Sequence, residues 1–351
     1  MNSKKRLLFS IVIICSLFFS SCKKDDSSQM SQEEIQNSFV LVSDSYYNKT
    51  NSYSYTQGSD VEYQLEDITS LPFMYMPELF SSSSSQNASL TSKIFKGGGS
   101  FSNNFDFNYY KGTWNFQGLY SQWGYSSTPN DKILAKFPFP YNFEGTNTNN
   151  ATLTLSNYTS TTVNQNKLMT GLKASIVVSS NEIWANEYIA SYPIQGQEVI
   201  KTIKKVGTYT KTNEDEVIDN SNNTIIKNQF QFQAANDLIY QTNSITTINK
   251  TLSPKTATVE AKILIQNIEF RITLLFNYND YQNAAIDLNN VIKIEVYNAE
   301  NTKLADLIFK KTGGYWDLWI KFTDGKEVIS ENYLQEFDSF INRFSRNLFS
   351  F

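Results

Sequence analysis

The sequence predicts a mainly β, α+β fold: an antiparallel sheet of repeated hairpins, preceded by a helical segment and closed by a C-terminal amphipathic helix packed on the sheet. Three observations carry that expectation. From residue 99 onward, apolar residues recur at every second position in runs separated by turn-forming residues, the pattern of half-buried strands. Towards each end of the chain the apolar spacing lengthens to three and four, the pattern of a helix with one buried stripe. Charged residues are only 18% and aromatics 15%, with 21 Tyr and 25 Phe, a balance that builds a core rather than a disordered chain.

Read in order, the chain opens with Lys4, Lys5 and Arg6, a thirteen-residue apolar run from Leu7 to Phe19, and Ser20-Ser21-Cys22. A cationic head, a short apolar stretch and small residues before a cut make residues 1–21 an export signal. The run is shorter than the roughly 20 residues of a membrane-spanning helix, and no later segment is long and apolar enough for one. Ser20-Ser21-Cys22 resembles the lipobox of bacterial lipoproteins, in which the cysteine thiol is acylated and becomes the new N-terminus; Phe19 stands where leucine is usual. Residues 22–30 form a tether whose start, Lys23-Lys24-Asp25-Asp26-Ser27-Ser28, resembles the acidic surface-export signal of lipoproteins of Bacteroidota. The expectation is a protein held to the outer membrane through lipid on Cys22, its body in water at the cell surface.

Residues 31–98 read as a helix and a polar loop segment. Ser31 and Glu34 have the spacing of a capping box ahead of Ile35, Phe39 and Val42, which predicts a helix of about three turns. A Tyr-rich polar stretch follows, with a short helix around Val61 to Leu65; Ser81 to Ser85 and Gly97-Gly98-Gly99 mark loops.

Residues 99–351 carry the strands, with a subdivision near 212–224 left open. Strands are expected over Phe105 to Phe116, Ile133 to Phe137, Ala151 to Tyr158 and Ile200 to Tyr209. Leu172 to Val178 and Ile183 to Tyr192 form a hairpin about Ser180-Asn181. The clearest pair is Val259 to Ile265 with Ile268 to Phe276 about Gln266-Asn267, apolar on one face and polar on the other, as in an antiparallel sheet wetted on one side. Val291 to Tyr297, Leu304 to Lys311 and Trp316 to Phe322 continue the series, the last ending at the turn Thr323-Asp324-Gly325. One large sheet is favoured over an internal duplication, because the hairpins share alternation and not residue identity. Leu334, Phe337, Ile341, Phe344 and Leu348 then fall on one helical face, with Ser330 as cap.

The chain of 351 residues contains no histidine and two cysteines. That excludes Ser-His and Cys-His nucleophiles, a histidine general base, and the commonest nitrogen ligands of zinc, copper and iron. Cys15 leaves with the signal and Cys22 is consumed by lipid, so no thiol remains for a disulfide, a metal or catalysis. Cleavage before Cys22 also removes Lys4, Lys5 and Arg6, leaving 27 of the 30 basic residues against 34 acidic ones. Such a chain has no general affinity for nucleic acid.

The stretches YKGTWNF and NDKILAKFPFP between Phe107 and Pro140, TNNATLTLSNY at 148–158, LKASIVVSSNEIWANEYIASY at 172–192 and IKFTDGKEVISENYLQEF at 320–337 resemble a group of uncharacterised surface lipoproteins of Bacteroidota. The resemblance spans most of the mature chain and implies a surface lipoprotein of mixed sheet and helix. It implies no activity.

What chemistry remains rests on oxygen and on rings. Two carboxylates can hydrolyse a glycoside without histidine; the candidates are Glu182 with Glu187 around Trp184, and Asp317 between Trp316 and Trp319. Glu182 and Glu187, five apart, fall on opposite faces of a regular strand. S-x-x-K occurs only at Ser20–Lys23 and Ser21–Lys24, and Lys96-Gly97-Gly98-Gly99 lacks the phosphate-loop pattern. Asn213-Glu214-Asp215-Glu216 with Asp219 and Asn220, and Asn277-Tyr278-Asn279-Asp280, offer the oxygen ligands calcium takes but not EF-hand spacing, and read as solvated loops. No metal or cofactor is expected.

Alternation puts Trp316, Leu318, Ile320 and Phe322 on one strand face and turns Tyr315, Asp317, Trp319 and Lys321 to the other. Rings beside charges suit stacking on a sugar and hydrogen-bonding its hydroxyls. Tyr120, Trp123 and Tyr125 make a second aromatic cluster, expected in a loop. In both places the plainer alternative is rings covered by a helix or a second layer. The reading is a non-enzymatic binding or structural module of the outer membrane whose partner is a polysaccharide or another surface protein. The alternatives are a His-independent carboxylate glycan hydrolase and a periplasm-facing assembly or lipid-carrier protein.

Overall fold

The structure is a computed structural model that describes residues 30–67, 107–117, 123–126, 131–141, 148–164, 166–252, 256–277, 287–313 and 315–334. Cys22 with the signal and tether, Ser81 to Ser85, the triple glycine, Tyr120, Tyr278 to Asp280 and the C-terminal helix beyond residue 334 lie outside the described residues. The chain divides into Met1–Ile35 and a compact unit, Gln36–Phe351. In the first, Glu34 Oε2 accepts from the Ser31 N–H at 2.7 Å and the Ser31 hydroxyl accepts from the Glu34 N–H at 3.3 Å. This is the reciprocal capping box expected from the spacing, and its donors hold the Glu34 carboxyl below the usual range.

The box opens α1 (Gln32–Ser54), 23 residues long rather than about three turns. The helix continues past Val42 because tyrosines take over the apolar spacing: Tyr46 and Tyr53, seven apart, meet the sheet. The hydroxyls of Thr50 and Ser52 bond to carbonyls one turn back, at 2.8 and 2.7 Å, so the polar residues do not unwind the helix. α2 (Gln57–Asp67) begins after Thr56, whose hydroxyl accepts from the Ser59 N–H at 3.2 Å as an N-cap does. In its first turn, a Cβ on Gly58 would stand 2.4 Å from the Ile183 carbonyl oxygen and 2.6 Å from Val206 Cγ1. The helix lies directly on the strands because that position has no side chain.

The described strands form one 16-stranded sheet, the mainly β, α+β architecture expected from the alternation. β1 (Gly112–Phe116) pairs antiparallel with β2 (Trp123–Ser126) and parallel with β3 (Ile133–Phe137). Every later neighbour is antiparallel and consecutive: β4 (Ala151–Val163), β5 (Asn166–Val178), β6 (Asn181–Ser191) and β7 (Gln197–Val206). Then follow β8 (Tyr209–Asp219), β9 (Asn223–Ala234), β10 (Asp237–Asn249) and β11 (Thr256–Ile265). β12 (Ile268–Asn277), β13 (Ile292–Asn298), β14 (Lys303–Thr312), β15 (Tyr315–Phe322) and β16 (Glu327–Ile329) complete the series. Residues 212–224 fall within the β8–β9 hairpin, and the sheet passes through them without a break.

Three local expectations are corrected. Phe107–Tyr110 is a helical turn, not the start of a strand: Phe107 stacks on Tyr158 at 5.0 Å, and Gly112, with φ 128°, turns the chain into β1. Trp123 and Tyr125 lie in β2, not in a loop, because each pairs across strands with a ring of β1: Trp123 with Phe116, Tyr125 with Trp114. Asn213-Glu214-Asp215-Glu216 is strand β8, not a solvated loop. Its outward carboxylates are held by cross-strand partners: Lys201 to Glu214 at 3.2 Å, and Lys227 and Gln197 to Glu216, both at 2.7 Å. Such a ladder lets a polar strand keep its register.

The register gives the sheet one continuous face, buried to either side of its middle strands. Ile133, Leu155 and Ala174 share it in β3 to β5, and Ile263, Phe270, Val296 and Ala305 in β11 to β14; all are buried. α1 and α2 lie across it at one end of the strands. Ser45 meets Gln266 in the β11–β12 turn, Tyr53 meets Phe232 near the end of β9, and Gln64 meets Pro138 just past β3. We call this the helix face.

Candidate functional site

Between its two apolar halves the helix face turns polar. On β7, Thr202 and Lys204 take the positions between Ile200 and Val206; on β8, Lys211, Asn213 and Asp215 stand between Tyr209 and Val217. Asn228 on β9 and Ser244 on β10 complete the row that starts at Asp215. Lys204 and Lys211 are direct cross-strand partners.

α2 brings a carboxylate to this island. Glu62, 3% exposed, accepts from the indole N–H of Trp184 and pairs with Lys204 Nζ at 2.7 Å. Lys211 has no carboxylate within ion-pair distance among the described residues; its Nζ lies 3.6 Å from the Tyr53 ring centroid and 5.0 Å from that of Phe232. Rings stabilise an ammonium through their negative faces. Removal from water, then the charge of Lys204, outweigh Glu62 and lower the Lys211 amine to about 8. Burial, then the Glu62 carboxylate, push the Tyr53 phenol above its ordinary value.

Two same-face positions along β8, about 13 Å at the rise of a strand, Asp215 sits buried between two amides. Asn228 Nδ2 donates to Asp215 Oδ1 at 2.6 Å and to Asn213 Oδ1 at 2.9 Å, and Asn213 Nδ2 donates to Asp215 Oδ2. Burial raises the Asp215 carboxyl above the usual range despite these donors. Around the row stand stacked pairs, Tyr209 with Phe232 at 5.9 Å and Phe230 with Tyr240 at 5.2 Å. Amides, an ammonium and a protonatable carboxyl among aromatic rings make a surface that hydrogen-bonds hydroxyls and stacks on flat apolar groups.

The residues singled out in the sequence sit elsewhere. Trp319 is on the face opposite the helices, half-buried, with Lys310 Nζ 4.1 Å from its ring centroid. Lys310 and Lys321 both pair with Glu327 on β16, and Asp317 stands across from Lys310. Trp319 is thus one ring within an outward charge ladder, its indole N–H buried and without a partner among the described residues. Tyr315 begins the same strand opposite Thr312. Trp123 packs edge-on against Phe116 at 5.5 Å; Tyr125, half exposed, donates its hydroxyl to the Lys111 carbonyl at 2.7 Å. β2 ends one edge of the sheet and β15 lies next to the other, so Trp123 and Tyr125 lie at the opposite end of the strand order from Trp319.

Glu182 and Glu187 are exposed on the same outward face, not opposite ones, because a β-bulge at Ile176/Val177 shifts the register between them, and Trp184 between them is buried under Glu62. The calcium candidates on β8 are split by the pleat: Asp215 faces the helices, Glu214 and Glu216 face away, and Asp219 pairs with Lys250. Among the described residues no group of three or more Asp or Glu side chains gathers to hold a metal. The sequence reasoning missed Glu62, Lys204, Lys211 and Asn228. A signal existed on β8, where Lys211, Asn213 and Asp215 alternate in phase with the apolar Tyr209 and Val217.

Compared with known proteins, the chain matches no family model, no curated protein and no solved structure.

Proposed function

We propose that the protein is a lipid-anchored, non-enzymatic module of the outer membrane, exposed at the cell surface, that binds a glycan on the polar island of its helix face. The cationic and apolar N-terminus ending at Cys22, and the resemblance to surface lipoproteins of Bacteroidota, support the location. The binding reading rests on one observation: on β7 and β8, Thr202, Lys211, Asn213 and Asp215 take positions that carry apolar residues in the flanking strands. Asn213, Asp215 and Asn228 hold one another in place, and their remaining amide and carbonyl capacity suits the hydroxyls of a polyol while the flanking rings stack on its C–H faces.

The test is titration of the full chain in detergent with a panel of polysaccharides, followed by intrinsic Trp and Tyr fluorescence and calorimetry. The expected result is saturable binding that weakens at least tenfold in Asn213→Ala; a flat signal across the whole panel removes the reading. For the location, labelled palmitate should enter the wild type and not Cys22→Ser, and protease added to intact cells should degrade the protein.

A carboxylate hydrolase is the second reading, favoured by the upward-shifted Asp215 carboxyl, which suits a general acid. Its cross-strand neighbours on the face are Ile200 and Asn228, so the second carboxylate the reaction requires is not next to it. Reducing-sugar release by the wild type, abolished in Asp215→Asn, would support this reading; no release from any glycan that binds would remove it.

A further inference from the structure

We infer that the glycan is acidic, its carboxylate held by Lys211 and its hydroxyls by Asn213 and Asn228. The inference rests on the glycan-binding reading above and names the substrate class for the same site.

The charge balance of the island carries it. The charged groups whose fields reach Lys211 are Lys204 on β7 and Glu62 on α2. Glu62 is committed to Lys204 at 2.7 Å and to the Trp184 indole, so it neutralises one of two adjacent ammonium groups. α1 contributes the Tyr53 ring and β9 the Phe232 ring, neither of which carries charge. Asp215 lies about 13 Å further along β8, bonded to its amides. Among the described residues, one cation therefore stands against the island without an anion, and a carboxylate brought to it would offset the cost of holding that charge out of water.

The dimensions suit a sugar acid. Lys211 and Asn213 are adjacent on the face, about 7 Å apart along the strand, close to the span from a carboxylate on a pyranose ring to the hydroxyls at its far side. Asn213, Asp215 and Asn228 use three hydrogen bonds among themselves, which leaves amide N–H and carbonyl capacity for those hydroxyls. Phe230 stacked on Tyr240 borders the same row.

The experiment compares galacturonate oligosaccharides with galactose oligosaccharides of equal length, using the full chain in detergent by calorimetry. At pH 6.5 the acidic series should bind at least tenfold more tightly. Lys211→Met should abolish that preference, with native-like circular dichroism and cooperative urea unfolding showing that the variant is folded; Lys211→Arg should keep it. The preference should fade as pH rises through the range in which the Lys211 amine loses its proton. Equal affinity for both series overturns the inference and leaves the glycan reading standing. Binding of neither series overturns the inference, a flat signal across the whole polysaccharide panel overturns the glycan reading as well, and tight binding of inorganic phosphate alone, competing with the acid, overturns the sugar in favour of a bare anion site.

Discussion

Glu62 holds two partners that are far from it in sequence, Trp184 and Lys204, and its charge also reaches Lys211. Breaking a buried pair leaves the other charge stranded, at a cost of about 3–5 kcal/mol. Glu62→Gln should therefore lower the free energy of unfolding by about 3 kcal/mol, read from urea denaturation; a loss under about 1 kcal/mol would mean that water reaches Lys204. Lys211 makes the opposite prediction. Its amine is lowered to about 8 in the folded chain from 10.5 unfolded, so the folded state disfavours the charge. Below about pH 8 both states are protonated and the cost of burying the ammonium is fully present. Between pH 8 and 10.5 the folded state has shed the proton while the unfolded state keeps it, so stability rises with pH. Lys211→Met should be more stable than the wild type at pH 7, and the gap should close by pH 10.5. Neither residue announces its burial in sequence, because a lysine or glutamate in an alternating strand or a polar helix reads as solvated.

At the level of elements, sequence legibility followed amphipathicity. β11 and β12 were legible because Val259, Ala261, Ile263 and Ile265 face Phe270, Ile272 and Leu274 with polar residues between them. β8 was not, because its helix-face positions hold Lys211, Asn213 and Asp215 and its outward positions hold Glu214 and Glu216. Period-2 alternation between polar and apolar vanishes when both faces are polar, and only pairing with neighbours keeps such strands extended. α1 was underestimated for a related reason, since its second half replaces aliphatic residues by Tyr46 and Tyr53. The docking of α2 depends on one glycine. Gly58→Ala raises helix propensity by about 1 kcal/mol, yet its methyl would meet the Ile183 carbonyl at 2.4 Å, a backbone atom that yields little. The net effect should be destabilisation by about 1–3 kcal/mol, measured by thermal or urea unfolding; a stabilised variant would show that α2 can lift from the strands.

Across the whole molecule, a single sheet joins two apolar regions through a polar middle. Trp184, Phe137 and Leu153 belong to the core beneath the helices, Phe270 and Ile294 are buried in β12 and β13, and the strands between carry Phe232 and Ile239 near the helices and a small cluster of Val217, Ile226 and Ile248 at the opposite strand ends. Local opening follows burial, so amides of β8 to β10 should exchange with solvent faster than those of β4, β5, β11 and β12, and a bound glycan should slow them selectively. Uniform protection along the sheet, measured by hydrogen exchange and mass spectrometry, would contradict this picture. The sequence by itself determined the strand-rich fold, the apolar face of its outer strands, the capping box at Ser31 and the absence of imidazole chemistry, because each is written in local spacing or in composition. Only the tertiary structure decided that Glu62 meets Trp184, 122 positions away, and that the Tyr53 ring of α1 covers Lys211. Burial of a charge depends on what folds over it, and no period within a strand or a helix carries that information.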